Sequence, residues 1–356
     1  EERIRACSVT LPDIFADDGM LRPEERPAEQ AVDEAAARNY VTRWLAAFAP
    51  DALEGMRVGL YAHSAVGKDL LHQVLRGLGA HVTRLADSDR FIPVDTEAIR
   101  PEDVQAAARW AVEHGLDAIV STDGDGDRPL VSDEHGRWLR GDVAGILCAR
   151  YLGADVVVTP VSSNTAVEAC GWFRKVVRTR IGSPYVIEAM LGAAKGGGRV
   201  VGYEANGGFL TSTAIPLASG ELSPLPTRDP VIVILSVLCA SRERRLPISR
   251  LLGELPRRFT ASDRLLNFPV ERSRQAIAAL QQGCAGCIDG AFEHRFGRAA
   301  RVDTTDGLRV TFESGEVVHV RPSGNAPELR CYTEACSEAR AVALKEEALE
   351  LLARWR

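Results

Sequence analysis

Ile119-Val-Ser-Thr-Asp-Gly-Asp-Gly-Asp-Arg128 is the stretch on which the reading of this chain turns. Leu116 to Val120 is short, apolar and β-branched, the pattern of a buried strand. It runs into Asp123, Asp125 and Asp127, separated by Gly124 and Gly126 and closed by Arg128. Carboxylates at alternate positions repel one another unless a cation lies between them or water solvates all three. The glycines let the backbone fold tightly enough for the oxygens to converge. Hard oxygen donors in a small cage suit Mg²⁺ or Ca²⁺ rather than zinc. Three readings are open at this point: an acidic surface turn, an EF-hand loop, or a Mg²⁺ site for phosphoryl chemistry with Arg128 as a phosphate contact. The EF-hand pattern accepts Asp123, Asp125, Asp127 and Glu134 but needs glycine where Arg128 stands, and a helix where the strand precedes.

Composition narrows the setting. A chain of 356 residues is long enough for two or three domains, and 46% hydrophobic with 26% charged residues is a soluble globular balance. A net charge of −6 argues against general nucleic-acid binding and leaves room for anionic substrates at local basic sites. No apolar run approaches a membrane span, and Glu1-Glu-Arg-Ile-Arg5 has no signal-peptide core. Eight cysteines scattered through predicted helices and strands fit reduced thiols, so a cytoplasmic location is expected, without nucleic-acid or membrane partners. Cys284 and Cys287 form a lone C-x-x-C in a predicted loop, with no second pair to complete a zinc site.

Residues 1 to about 27 read as irregular, with turns at Leu11-Pro-Asp and Asp17-Asp-Gly. Apolar spacing predicts a helix over Glu29 to Phe48. Then Met56 to Tyr61 (strand), Lys68 to Leu78 (helix), His81 to Leu85 (strand) and Pro101 to His114 (helix) alternate up to the Asp strand, as in a parallel-sheet α/β domain. His63 to Asp69 resembles a nucleotide P-loop only loosely, lacking the first glycine and carrying Asp69 where a hydroxyl should bind metal. A hairpin is predicted beyond the Asp loop, with its turn at Glu134 to Gly136, then a helix over Gly141 to Tyr151. The alternation then restarts: strands over Asp155 to Pro160, Lys175 to Thr179 and Arg199 to Tyr203, helices over Ser163 to Cys170 and Pro184 to Ala194. Its last strand empties into Gly202-Tyr-Glu-Ala-Asn-Gly-Gly-Phe209, the position equivalent to the Asp loop. After an apolar helix over Asp229 to Ser241 and a boundary at Pro256 to Asp263, short strands (Gly307 to Phe312, Val317 to Val320, Leu329 to Thr333) and a helix over Ser337 to Trp355 read as an α+β domain.

Two further loops carry polar chemistry. Glu204 and Asn206, a carboxylate and an amide behind a buried strand, are the pair that grips vicinal sugar hydroxyls; a polar Gly-rich turn is the alternative. In Arg321-Pro-Ser-Gly-Asn-Ala-Pro-Glu-Leu-Arg330, Ser323, Gly324 and Asn325 offer donors between Arg321 and Arg330, which reads as a phosphate nest or a solvated hairpin turn.

The three loops, in this order, resemble those of the α-D-phosphohexomutases (phosphomannomutase and phosphoglucomutase). D-G-D-G-D-R is similar to their metal loop, G-Y-E-A-N-G-G to their sugar loop (usually G-E-x-S-G), and R-P-S-G-N-A-P-E-L-R to their phosphate loop (usually R-P-S-G-T-E-P-K-L-R), over roughly residues 17 to 356. The resemblance implies three like α/β units and an α+β domain around one cleft. It also implies a phosphoserine in the first unit, Mg²⁺ on Asp123, Asp125 and Asp127 beside Arg128, and a hexose phosphate held by Glu204, Asn206, Arg321, Ser323, Gly324, Asn325 and Arg330. The loop of Arg180, Gly182 and Ser183 is similar to the family's T-P-V-G-D-K segment, with Pro184 in place of its lysine.

Two α/β units, over 29–150 and 151–258, and an α+β domain over 259–356 are therefore expected, with 1–28 as a remnant of the first unit or an irregular N-terminal segment. Ser8 is the candidate phosphoserine, in Ala6-Cys-Ser-Val-Thr-Leu-Pro12 rather than the family's T-A-S-H-N-P. Asn206 replaces the usual serine, Gly208 a histidine of many relatives, and Asn325 a threonine. Two functions follow: a phosphohexomutase, an isomerase of carbohydrate metabolism that interconverts hexose 1- and 6-phosphates through a bisphosphate; or a shortened module that binds Mg²⁺ and sugar phosphate without turnover.

Overall fold

The protein is described by a computed structural model covering residues 14–26, 28, 31–282, 285–323 and 326–355. The chain divides into residues 1–40 and a unit from Val41 to Arg356. In the first, Phe15 bridges to Leu21 across the Asp17-Asp-Gly turn, and a 3-10 turn follows at Pro23–Glu25. Helix α1 (Ala35–Ala47) starts later than the predicted Glu29. Asp33 supplies the reason: its carboxylate accepts the Ala35 N–H at 2.8 Å and acts as a cap. Ser8 lies outside the described residues.

The larger unit holds three main sheets. The first is built from β1 (Arg57–His63), α2 (Lys68–Gly77), β2 (His81–Asp87), α3 (Pro101–His114), β3 (Ala118–Thr122) and β4 (Pro129–Val131). Its order is β2-β1-β3-β4, parallel except for β4, which turns back on β3. Helix α4 (Gly141–Tyr151) leads to the second sheet: β5 (Val156–Pro160), α5 (Ala166–Ala169), β6 (Lys175–Thr179), α6 (Ser183–Ala194), β7 (Val200–Tyr203) and β8 (Phe209–Thr211). Its order, β6-β5-β7-β8, repeats the first, again with an antiparallel last strand. The Asp loop joins β3 to β4 and the Glu204 loop joins β7 to β8, so the two loops are topological equivalents. Both lie at the carboxyl ends of parallel strands, where open α/β sheets bind ligands.

A ribbon of β9 (Ile215–Leu217) and β10 (Gly220–Leu222) precedes α7 (Pro230–Arg244), which Asp229 caps through the Val231 N–H at 2.9 Å. From Pro230 to Cys239 every residue of α7 is buried, as its unbroken apolar sequence requires. After α8 (Ile248–Leu252) comes the third, wholly antiparallel sheet. It consists of β11 (Phe259–Leu265), α9 (Val270–Gln282), α10 (Ala285–Phe296), β12 (Ala299–Asp303), β13 (Leu308–Phe312), β14 (Val317–Pro322), β15 (Leu329–Ala335) and α11 (Glu338–Ala353), in the order β11-β15-β14-β13-β12. Ile277, Ile288, Phe292, Phe296 and Leu344 from the three helices pack on Leu308, Val310, Phe312, Val318 and Val320 of one sheet face.

Several elements depart from the sequence reading. Helix α5 is four residues rather than Ser163 to Cys170. Asn164 is held outside it, its N–H bonded to Asp142 and its amide to the Arg258 carbonyl. The predicted boundary at Pro256 to Asp263 already contains the start of β11. The predicted loop around Cys284 and Cys287 is a junction of two helices, α9 ending at Gln282 and α10 starting at Ala285. Burial of Ile288 and Phe292 outweighs the turn preference of Gly286. Cys284 lies outside the described residues.

Glycine matters most at Gly141, the first residue of α4. A Cβ there would fall 2.3 Å from the Gly207 nitrogen and 2.4 Å from the Asn206 carbonyl carbon. Helix α4 thus touches the Glu204 loop backbone to backbone, and Thr96 Oγ1, from the loop ahead of α3, adds a 2.9 Å bond to the Asn206 carbonyl.

Candidate active site

The Asp loop is shaped by its first carboxylate. Asp123 Oδ1 accepts the Asp127 and Arg128 N–H groups, each at 3.1 Å, and Gly126 takes a positive φ of 77° to close the turn. Ligand oxygens of Asp123, Asp125 and Asp127 then lie within 4.8 Å of one another. Asp123 is buried, Asp127 half-buried and Asp125 exposed, so three solvated carboxylates on a surface turn do not describe the loop. Burial, and then the charges of Asp125 and Asp127, push the Asp123 carboxyl up to about 6. Asp127 Oδ1 is buried without a hydrogen-bond donor. Converging carboxylates with an orphaned oxygen fit a hard divalent cation. The EF-hand reading fails: Glu134, which it needs as a ligand, is bonded through both oxygens to Ser249.

Arg128 folds back on its own loop, Nε standing 3.6 Å from both Asp123 Oδ2 and Asp127 Oδ1. The loop at His63 to Asp69 braces the site rather than cradling a nucleotide. Val66 N–H bonds the Gly124 carbonyl at 3.1 Å, and Lys68 is spent on Asp87 at 2.6 Å and on the His63 and Ser88 carbonyls.

In the second loop Glu204 is buried, and burial raises its pKa. Its Oε2 has no hydrogen-bond donor. Asn206 Oδ1 accepts the Gly208 N–H at 2.9 Å, so only the amide NH₂ of Asn206 is left for a ligand. The residue that joins the two loops, Arg228, was not picked out from sequence. Its Nη2 lies 2.5 Å from Asp127 Oδ2 and its Nη1 3.7 Å from Glu204 Oε2. Gly208 makes the room: a Cβ there would sit 2.5 Å from Arg228 Cδ.

In the third sheet Arg321 and Arg330 are direct partners across β14 and β15, and Ser323 N–H closes the loop on the Glu328 carbonyl at 2.9 Å. Gly324 and Asn325 lie outside the described residues. Arg321 Nε stands 3.7 Å from Asp306 Oδ1, whose other oxygen accepts the Ile181 N–H at 2.9 Å. Arg180 Nε donates to the Thr305 carbonyl at 3.2 Å. Gly182, at a φ of 131°, turns the chain into α6 beside them. The structure therefore brings Arg180 and Gly182 together with Arg321, through Asp306.

Arg330 Nε is buried without an acceptor and borders a cleft of about 150 Å³ lined by Glu97, Ser262, Arg264 and Tyr332. Glu97, raised by burial, lies in the field of Arg140 and Arg128 and itself acts on Glu204 and Tyr332. It links the Asp and Glu204 loops to the third sheet. Arg228, Asp306 and Glu97 share one reason for escaping the sequence reading: each is a lone charged residue whose partner is distant in the chain.

Comparison with known proteins agrees with this arrangement. Residues 38–136 match the phosphoglucomutase/phosphomannomutase alpha/beta/alpha domain II, 140–259 domain III, and 265–351 the C-terminal domain. The chain is 41% identical over 341 residues to a phosphomannomutase of Salmonella muenchen, covering 94% of this chain and 69% of that protein. It is 44% identical over 314 residues to a phosphomannomutase of Sinorhizobium fredii (88% and 66%). The fold matches a phosphoglucomutase/phosphomannomutase family protein of Burkholderia thailandensis at a TM-score of 0.67 and 20% identity, over 90% of this chain and 64% of that one. Three carboxylates, a sugar-type loop and a basic loop on this fold define a phosphohexomutase-like protein. The chain belongs to the phosphoglucomutase/phosphomannomutase family, and it spans about two thirds of the length of these relatives.

Proposed function

We propose that this chain carries the metal, sugar and phosphate sites of a phosphohexomutase acting on hexose 1- and 6-phosphates. The observation that supports this most is the single cation, Arg228, spanning Asp127 of one loop and Glu204 of the next. That contact supports reading the carboxylate cluster and Glu204 as parts of one site. Asp123, Asp125 and Asp127 would hold Mg²⁺, which when bound supplies positive charge to a phosphoryl group in transfer. Arg128, beside them, would contact the same phosphoryl oxygens. Glu204 accepts from ring hydroxyls and the Asn206 amide donates to them. Arg321, Ser323, Gly324, Asn325 and Arg330 hold the phosphate that is not reacting, with Arg180 and Gly182 at the edge of that grip.

Ser8 is the proposed phosphoryl carrier, as the family resemblance implies. Its phosphate would pass to the free hydroxyl of the hexose phosphate, and the other phosphate of the bisphosphate would return to the serine. The test is intact-mass and peptide spectrometry of the full chain after incubation with glucose 1,6-bisphosphate, alongside an assay of glucose 1-phosphate conversion. Phosphate on Ser8 with turnover is the expected result. Hexose phosphate and Mg²⁺ binding without either would favour a binding module.

A further inference from the structure

A second basic site lies away from the three loops. A cavity of about 560 Å³ opens between the second α/β unit and the third sheet. One wall is Thr165, Glu168 and Arg178; the other is the sheet face that α9 to α11 leave uncovered, carrying Arg301, Asp303, Arg309 and Thr311. Alternation along β13 sends Leu308, Val310 and Phe312 into the helical core and Arg309 and Thr311 to the cavity.

The charges in the cavity do not balance. Arg178 is satisfied by Glu168, with Nε and Nη2 each at 2.7 Å, and Arg258 by Glu334 at 2.5 Å. Asp303 is turned to its own loop, accepting the Thr305 N–H at 2.8 Å. Among the described residues Arg309 makes no ion pair, and its side chain has one long bond, Nη1 to Thr311 Oγ1 at 3.4 Å. Burial, and then the charge of Arg178, lower its pKa. A half-buried guanidinium beside Arg178, with Glu334, Asp303 and Glu168 acting on it only from beyond ion-pair distance, creates a demand for an anion.

We propose that this cavity binds a small phosphate-bearing molecule, its phosphoryl group held by Arg309 and Arg301 with Thr311 as a further donor. Two guanidinia match the charge and forked geometry of a phosphoryl dianion. The volume exceeds what inorganic phosphate needs and suits a phosphorylated metabolite, whose organic part would lie on Val161, Ala169 and Val317. The lining of this cavity includes none of the residues of the three loops. Arg258 in its wall ties Thr165 to Glu334 across the two units, so an occupant would fasten the third sheet to the second unit.

The test is titration of the full chain with inorganic phosphate by calorimetry, in the Arg321→Ala background to silence the phosphate loop. Phosphate should still bind, and adding Arg309→Gln should weaken it tenfold or more, about the worth of one charge-assisted bond pair. If Arg309→Gln fails to fold, Arg301→Gln on the exposed rim takes its place, with weakening of about threefold expected. No phosphate binding to Arg321→Ala, or binding indifferent to the cavity substitution, overturns the proposal.

Discussion

Arg228 Nη2 and Asp127 Oδ2 stand 2.5 Å apart, one of the shortest ion pairs among the described residues, and the two residues are 101 positions apart in the chain (228 − 127). The same carboxylate belongs to the cage. A divalent cation and Arg228 therefore compete for Asp127, while Arg228 also offsets the buried charge of Glu204.

Arg228→Gln should accordingly tighten Mg²⁺ binding by about three- to tenfold, the release of roughly 1 kcal/mol of competing, partly buried ion pair. Hexose phosphate binding should weaken in the same variant, because Glu204 loses the group that orients it. Calorimetry with each ligand separately reads both effects; Mg²⁺ affinity that does not move would remove Asp127 from the metal site.

Asp125 is the exposed member of the cage, so its loss should cost charge and little structure. Asp125→Asn is expected to lower Mg²⁺ affinity about tenfold with an unchanged melting temperature. Equal binding by both proteins would contradict the assignment.

Arg321 is the proposed anchor for the distal phosphate. Removing a bidentate arginine–phosphate contact costs on the order of 2 to 4 kcal/mol. Arg321→Ala should thus weaken glucose 6-phosphate binding by roughly 30-fold or more. Unchanged affinity would show that the phosphate sits elsewhere.

His319 gives the protein an acid weakness. It is 1% exposed, stacks on Tyr332, and offers Nε2 to the Asp306 carbonyl at 2.6 Å. Burial first, then Arg309 and Arg321, lower its pKa from 6.5 to about 4. Because the folded value lies below the unfolded one, the unfolded chain binds the proton first as the pH falls. Stability is full above 6.5 and drains away towards about 4, by about 3 kcal/mol at the end of that range. Urea unfolding at several pH values should show a shallower loss across this window in His319→Leu than in the parent; parallel curves would refute it.

Much of this was legible in the sequence. Pro101–His114, Gly141–Tyr151 and Lys175–Thr179 have the bounds predicted for them, because proline, glycine and apolar spacing mark their ends locally. The convergence of Asp123, Asp125 and Asp127 was legible too, since adjacent glycines force it. Strands β11 and β12 were not: Thr-Ala-Ser-Asp-Arg and Ala-Arg-Val-Asp alternate weakly and become strands by pairing with β15 and β13. Arg228 illustrates the same limit at the site, where neither Asp127 nor Glu204 is near it in the chain.

The contact of Gly141 with Asn206 and Gly207 has a bearing on ligand length. Together with Thr96 on Asn206, Pro129 against Gly207 and Arg228 between Asp127 and Glu204, it makes the Asp loop and the Glu204 loop one jaw of a calliper. The other jaw is the third sheet, joined to the first one by the strand lead-in at Arg258. In the proposed function the ring hydroxyls would meet the first jaw and the distal phosphate the second. Sugars that differ in the stereochemistry of a hydroxyl would be separated by the first.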